Sequence, residues 1–208
     1  MSRLVVTNIE TQNIKFDSDT TAFTIGSDGI VTGNNASAMI KLLSATIGNT
    51  SMYVIDSTYI NSTYNIYLIQ AEFLPVSDGH YLYSDAYVGG SVVDSGNNYG
   101  RYVREIGSGD VWNSPGQSEF VLYNRNSLGN ATGEGITINA VLQNVNSTTR
   151  PACITGTSVY YGTGAETRTA NFGGTFGVSQ ASSVVNGINF YISSGNIASG
   201  SITLYGIK

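Results

Sequence analysis

The chain has few ionisable side chains, and this scarcity argues against several kinds of partner. Only 11% of its 208 residues are Asp, Glu, Lys or Arg, and the formal net charge is −5. The nine Lys and Arg residues are scattered along the sequence, whereas a protein that follows a phosphate backbone needs them clustered. We therefore expect no nucleic acid among its partners.

Residues that bind metals or form disulfides are scarcer still. The sequence has one His and one Cys, while a zinc site needs several such ligands at suitable spacing. The single Cys153 cannot form an intrachain disulfide, and its neighbours Ala152 and Ile154 favour a small buried thiol over a reactive one. We expect no metal and no cofactor.

Long apolar runs are missing as well. No run approaches the roughly 20 residues that a membrane-spanning helix requires. The first residues lack the apolar region and the cleavage site of a signal peptide. We therefore expect no membrane partner, and we expect synthesis and folding in a cytoplasm.

The residues that are abundant favour strands and turns. Gly, Ser, Thr and Asn dominate the polar residues, and there are 14 Tyr and 7 Phe. Exposed helix faces usually carry Glu, Lys, Arg and Ala, whereas Thr and Tyr suit strands and Gly and Asn suit turns. Apolar and polar residues alternate clearly near the C-terminal end, in 188–192 and 201–205, as in half-buried strands.

Strand candidates with turn signals between them recur at roughly even spacing, which predicts an all-β fold, an antiparallel β-sandwich. The candidates lie near 46–55, 64–73, 80–88, 99–105, 118–123, 135–144, 152–160, 166–172, 184–192 and 200–207. One short stretch, Ala36–Leu43, tolerates a helix but is too brief to support one alone.

Residues 1–37 differ from the rest and predict an extended N-terminal arm. They hold short apolar pieces separated by Asp-rich and Gly-rich turns, and none is long enough to bury a core alone. We expect this attachment arm to pair with another subunit or with a larger particle, and we expect residues 38–208 to form the β-sandwich domain. The alternative is that residues 1–37 add edge strands to that domain.

Four short segments carry a resemblance to a known family, namely Ser62–Ile69, Pro75–Leu82 with its Asp-Gly turn, Ser193–Asn196 and Leu204–Lys208. Together they resemble a jelly-roll-like β-domain found in structural proteins of tailed bacteriophages, and Ala22–Val31 resembles a linker common in phage fibre proteins. The resemblance implies a virion structural protein, a capsid decoration or cement protein or a short fibre, that contacts other virion proteins. By analogy with such proteins we expect a homo-oligomer, specifically a trimer. The resemblance supplies no catalytic residues, and residues 90–180 match little in that family.

Exposed aromatic residues suggest a second function. Tyr81, Tyr83 and Tyr87 share one parity, so a regular strand would place them on one face, and Trp112 is predicted to lie in a loop. Exposed Tyr and Trp rings stack on sugars or fill protein interfaces. Tyr83, Tyr87 and Trp112 are therefore candidates for surface recognition of a host glycan, as in a carbohydrate-binding module of a tail fibre. Packing in the core or across strands is the alternative role for each.

Sequence motifs for catalysis are absent, and we expect no enzyme. His80 follows an Asp-Gly turn, and no G-x-S-x-G motif accompanies it. A glycosidase needs only two carboxylates in a cleft, and the glutamates leave that alternative open, although phage depolymerases resemble much longer β-helical chains. The glutamates concerned are Glu72, Glu105, Glu119, Glu134 and Glu166.

Overall fold

The computed structural model describes residues 13–15, 21–25, 31–33, 39–94, 98–106, 111–123, 128–163, 166–176 and 183–208. These residues form strands and turns without a helix, and the predicted all-β antiparallel sandwich is confirmed. The strands are β1 (Asn13–Lys15), β2 (Thr21–Ile25), β3 (Val31–Gly33), β4 (Met39–Ile47), β5 (Met52–Ile55), β6 (Ile66–Pro75), β7 (Leu82–Ser84), β8 (Ala86–Val88), β9 (Ser91–Val92), β10 (Tyr99–Ile106), β11 (Val111–Gln117), β12 (Phe120–Val121), β13 (Gly135–Gln143), β14 (Ala152–Tyr161), β15 (Thr167–Phe176), β16 (Val185–Ile192) and β17 (Ile197–Ile207).

Within the described part of the chain, the larger sheet has eight strands in the order β11-β10-β15-β14-β13-β6-β17-β4. Its strands are regular because apolar and polar residues alternate, and successive side chains of a strand point to opposite faces. On β6, for example, Tyr67, Ile69 and Phe73 are buried, whereas Gln70 and Glu72 between them are exposed. The sheet therefore has one face in the core and one facing outward.

The smaller sheet is built around β16. On one edge of β16 lie β7 and then β8, with Leu82 opposite Ile192 and Ala86 opposite Ile188. Strand β5 also pairs with β16, β12 pairs with β7, and β9 pairs with β8. Because β7 and β8 both pair with this edge of β16, they act as one strand that is interrupted at a single residue, Asp85.

The two sheets enclose an aromatic and aliphatic core. Phe73 of the large sheet meets Phe190 of the small sheet with ring centroids 5.3 Å apart, and Phe120 of the small sheet meets Phe172 at 6.2 Å. Aromatic pairs of this kind stabilise the folded state by more than the burial of their surface area alone provides. Leu204 of β17 is fully buried on the same inner side, so the last strand is part of the core.

The segments that resemble the phage domain are neighbours in space. Strands β6 and β17 pair from Ile66 opposite Ile207 to Pro75 opposite Ile197. The turn before β17 is tied to the Pro75–Leu82 segment, because the Val76 N–H donates to the Asn196 carbonyl at 3.0 Å. A Cβ at Gly206 would lie 2.6 Å from the Tyr64 ring, so only glycine lets that ring cover β17.

The chain divides into two compact units, Met1–Ile40 and Lys41–Lys208. The predicted arm, residues 1–37, falls in the first unit, and its described strands β1, β2 and β3 form a three-stranded antiparallel sheet. The rest of the arm lies outside the described residues. Its role in attachment stays a prediction.

Of the helix-tolerant stretch 36–43, which is too brief to support a helix alone, residues 39–43 lie in β4, a nine-residue strand next to β17. One local expectation differs from the structure. Cys153 is partly exposed rather than buried, since β14 points it to the outward face, where its Sγ lies 3.9 Å from Gln143 Oε1. Partial burial raises the pKa of this thiol.

Candidate recognition surfaces

Tyr83 and Tyr87 both lie on the outward side of the small sheet and are half-buried. Tyr83 stands opposite Tyr191 of β16, and the two rings meet edge to face at 5.6 Å. The Tyr81 ring stacks on Tyr83 with centroids 6.2 Å apart. We call Tyr81, Tyr83, Tyr87 and Tyr191 the tyrosine face. Three of its rings pack on one another. This agrees with the alternative role of packing across strands as well as with an aromatic recognition surface.

Exposed apolar side chains border the tyrosine face. Met52 and Val54 of β5 are 40% and 38% exposed. The Tyr87 hydroxyl lies 4.0 Å from Met52 Sδ, and the Asn189 amide nitrogen lies 3.1 Å from the same sulfur. The small sheet therefore offers a mixed aromatic and thioether surface to solvent.

Trp112 lies in a strand, not in the predicted loop. It belongs to β11, where its backbone stands opposite Val103 of β10. Ser114, Pro115 and Gly116 are typical loop residues, but they belong to β11, which is outermost in the described large sheet. Pro is tolerated at a sheet edge, where its missing N–H leaves no partner strand without a hydrogen bond. Tyr83 and Tyr87 on one side and Trp112 on the other thus belong to different sheets.

A buried carboxyl group lies within the tyrosine face, and no local sequence pattern indicates it. Asp85 is 3% exposed. Its N–H donates to Asn189 Oδ1 at 2.6 Å, while the Asn189 N–H donates to the Asp85 carbonyl at 2.9 Å. An Asp between two short strands looks like an ordinary turn residue, so only the pairing of β7 and β8 with β16 reveals that it is enclosed.

Burial raises the pKa of Asp85 to about 7. Hydrogen bonds from Asn189 and Tyr191 lower this pKa, and the negative charges of Asp94 and Glu119 raise it further. Burial together with the Asp85 charge also raises the pKa of Tyr191. The Tyr191 hydroxyl therefore stays protonated at neutral pH and can donate to the Asp85 carboxyl.

The outward face of the large sheet has a different character. Its side chains stand in rows across neighbouring strands, because the ladders from β17 to β10 keep their register. One row runs Ser201, Glu72, Thr137, Val159, Thr169, Ile106, and the next runs Thr203, Gln70, Asn139, Thr157, Asn171, Arg104. We call these two rows the polar face. Most of its members are uncharged hydrogen-bonding groups.

Two adjoining cavities open on the polar face. The larger, of about 500 Å³, lies over the ends of β6, β13 and β14, and the smaller, of about 230 Å³, lies beside it over β17, β6 and β13. Both are lined by Glu72 and Thr137. Gly135 forms part of the larger cavity, where its φ of +103° and the Phe73 carbonyl beside it leave no room for a Cβ.

Of the five candidate glutamates, Glu72 and Glu134 both line the larger cavity. Glu72 Oε1 accepts from the Ser201 hydroxyl at 3.0 Å, and Glu134 Oε2 accepts from the Ala131 N–H at 2.7 Å. In the sequence these two residues are candidates among five glutamates, and no pattern there groups them as a pair. Their shared position follows from the β6–β13 ladder, which has no local sequence signal.

The remaining glutamates take part in ion pairs. Glu105 is 2% exposed and bonds to Arg168 and to the Tyr160 hydroxyl. Glu166 bonds to the same Arg168, and the hydrogen bonds to Glu105 and Glu166 raise the pKa of the Arg168 guanidinium. Glu119 lies 3.6 Å from Arg101. These three acids hold strand ends together.

Within the described residues, no group of three or more His, Cys, Asp or Glu side chains is arranged to hold a metal ion. Nor do these residues include a helix long and apolar enough to cross a membrane. Searches against family models, curated proteins and solved structures returned no match to this chain.

Proposed function

We propose that the protein is a non-enzymatic structural protein of a tailed-bacteriophage virion, a capsid decoration or cement protein or a short fibre. Residues 1–37 would attach it to other virion proteins, and the sandwich would be displayed outside. The observation that carries the proposal is the proximity of the segments that resemble the phage β-domain. A chance likeness among short motifs would not require them to be neighbours in the fold.

The contacts among these segments are specific. The Tyr81 N–H donates to the Ser193 hydroxyl at 3.0 Å, and the Ser193 N–H donates to the Tyr81 carbonyl at 2.8 Å. Tyr64 packs edge to face on Tyr67 at 5.9 Å and covers Gly206. The segments that resemble the phage β-domain therefore form one connected unit, which supports their interpretation as parts of one domain type. They are Ser62–Ile69, Pro75–Leu82, Ser193–Asn196 and Leu204–Lys208.

Particle incorporation tests this proposal. A variant that lacks residues 1–37 should keep a folded sandwich, because Lys41–Lys208 is compact by itself, but it should no longer be incorporated into virions. Circular dichroism and mass spectrometry of purified particles measure the two outcomes. Absence of the full-length chain from purified virions, or equal incorporation of the truncated chain, would contradict the proposal.

We propose further that the virion form is a homo-oligomer, most simply a trimer. Strands β11 and β4 are outermost in the described large sheet, and outermost strands offer unpaired backbone groups to a neighbouring copy. Light scattering at micromolar concentration should give three times the 22.0 kDa chain mass. A stable monomer would contradict this part of the proposal.

The tyrosine face favours a second candidate function, a carbohydrate-binding module for receptor recognition on a tail fibre. Tyr83 and Tyr87 are half-buried, and Met52 beside them is exposed, so parts of the rings are accessible for stacking on a sugar. Loss of glycan-array binding in a Tyr87→Ala variant, with binding retained in Met39→Ala, would support this candidate. Met39 is a suitable control because it is exposed on a different strand, β4.

A further inference from the structure

We infer that the paired cavities on the polar face form a binding site for a neutral oligosaccharide. The site would lie on the large sheet, apart from the tyrosine face. It does not depend on the virion proposal, because the groove would bind sugar whether or not the chain is part of a particle.

The size fits a small ligand rather than a macromolecular partner. Sites for small molecules usually measure about 300–1,000 Å³, and the larger cavity is about 500 Å³. The smaller cavity of about 230 Å³ adjoins it through Glu72 and Thr137. Together they form a groove that follows β6 and β13 and can hold more than one sugar ring.

The lining excludes an anionic ligand. Two acidic residues, Glu72 and Glu134, line the larger cavity, and among the described residues that line it none is Lys, Arg or His. An anion would therefore meet like charge without compensation. A hydroxyl-rich ligand instead supplies donors, which ionised carboxylates accept in strong hydrogen bonds.

The continuation of the groove favours a sugar over a cation. Gln70, Asn139 and Thr203 line the smaller cavity, and the amides and the hydroxyl both donate and accept hydrogen bonds. Sugar hydroxyls do the same, whereas a cation can use only the acceptors. An uncharged ligand that donates and accepts along its length therefore satisfies the polar groups of both cavities.

The groove also has apolar surface for the carbon side of a sugar ring. Val159 is 47% exposed and Leu74 is half-buried at the larger cavity. Tyr161 lines the same cavity and is half-buried. Recognition sites commonly combine such apolar and aromatic walls with a few polar groups that fix orientation.

Binding measurements on the full chain test the inference. The probes are a glycan array and, in solution, the neutral trisaccharides maltotriose, cellotriose and mannotriose. Isothermal titration calorimetry gives the affinity, and amide NMR shifts map the contact. We expect at least one neutral oligosaccharide to bind, with shifts concentrated at Glu72, Thr137 and Ser199. A sialylated trisaccharide should bind more weakly.

Two variants and their controls locate the site. Glu72→Gln keeps the shape but removes the charge, and Thr137→Val removes one hydroxyl. Each should weaken binding about tenfold or more, as expected for a lost hydrogen bond to a polar ligand. Asp94→Asn removes the same charge elsewhere, and Thr155→Val removes an exposed hydroxyl of the same sheet outside both cavities. Both controls should bind like the original chain.

Several outcomes would overturn the inference. They are no binding of any neutral oligosaccharide at millimolar concentration, binding of polylysine or Ca²⁺ but of no sugar, and sugar binding that survives both groove substitutions. Sugar binding lost in Tyr87→Ala but kept in Glu72→Gln would move the site to the tyrosine face and would also overturn it. Unchanged melting temperatures of the variants ensure that weaker binding reflects the groove.

Discussion

On the large sheet the outward side chains stand in register across neighbouring strands, whereas on the small sheet they pack against one another. Gln70 and Asn139 lie side by side on β6 and β13 with their polar ends toward solvent. Tyr83 and Tyr191, which also lie side by side, turn their rings together. The contrast follows from the regularity of the strands. The long unbroken ladders of the large sheet leave its outward face open to a ligand. On the small sheet, the interruption between β7 and β8 lets the tyrosine rings pack together and enclose the Asp85 carboxyl group.

The largest expected effect compares the inner and outer sides of a single strand. Leu204 of β17 is fully buried and Thr203 beside it is on the polar face. Leu204→Ala should lower the free energy of unfolding by about 2–5 kcal/mol, through lost burial and a residual cavity. Thr203→Ala should change it little. Urea unfolding of both variants checks this, and equal losses would mean that β17 has no distinct inner face.

A second prediction tests the enclosed carboxyl group of the small sheet. Asp85 has a folded pKa near 7, above its ordinary value of 3.8, so the folded state binds more protons between these pH values. Its contribution to stability is therefore fully present below about pH 4 and is lost as pH rises to about 7. The loss is up to about 4 kcal/mol, since a tenfold difference in proton affinity corresponds to about 1.4 kcal/mol.

Asp85→Asn should remove this pH dependence and should be the more stable form at pH 8. Unfolding of both proteins at pH 4.5, 6 and 8 measures the difference. Titration of other groups affects both proteins alike, so the comparison isolates Asp85. A constant difference across the three pH values would mean that the carboxyl is not enclosed in solution.

A smaller effect on stability should distinguish a tyrosine hydroxyl of the small sheet from one of the large sheet. Tyr191→Phe removes the hydroxyl that bonds to Asp85 and should cost about 1–3 kcal/mol, because a buried acceptor loses a donor. The cost should be greater at pH 8 than at pH 5, where Asp85 is protonated. Tyr205→Phe on the outward side of β17 is the matched control. Similar small losses of stability in both variants would mean that the Tyr191 hydroxyl does not donate to an enclosed Asp85 carboxyl.

The smallest effect concerns the open face alone. Thr157 is exposed in the second row of the polar face, and Thr155 is exposed two residues before it on β14. Thr157→Val and Thr155→Val should each change stability by no more than about 0.5 kcal/mol, as is usual for surface positions. Thermal denaturation checks this. A loss of several kcal/mol in either variant would mean that a neighbouring segment covers this face.

The sequence predicted the long strands well and the two faces poorly. Alternation of apolar and polar residues was enough to identify β6, β13 and β17, because each is long and has one side in the core. It did not separate β4 from β5, since the turn at 48–51 lies inside one candidate strand. Glu72 and Thr137 share a cavity only because β6 pairs with β13, and register between distant strands is not encoded in a local pattern.

A density map of virions purified from cells that produce this protein tests the account most directly. It should contain the sandwich, with the segment before Lys41 against another virion protein and with the groove lined by Glu72 and Thr137 facing solvent. Addition of the best neutral trisaccharide should place new density in that groove. Absence of the protein from the particle would contradict the virion proposal, and a polar face buried against the particle would contradict the open binding surface.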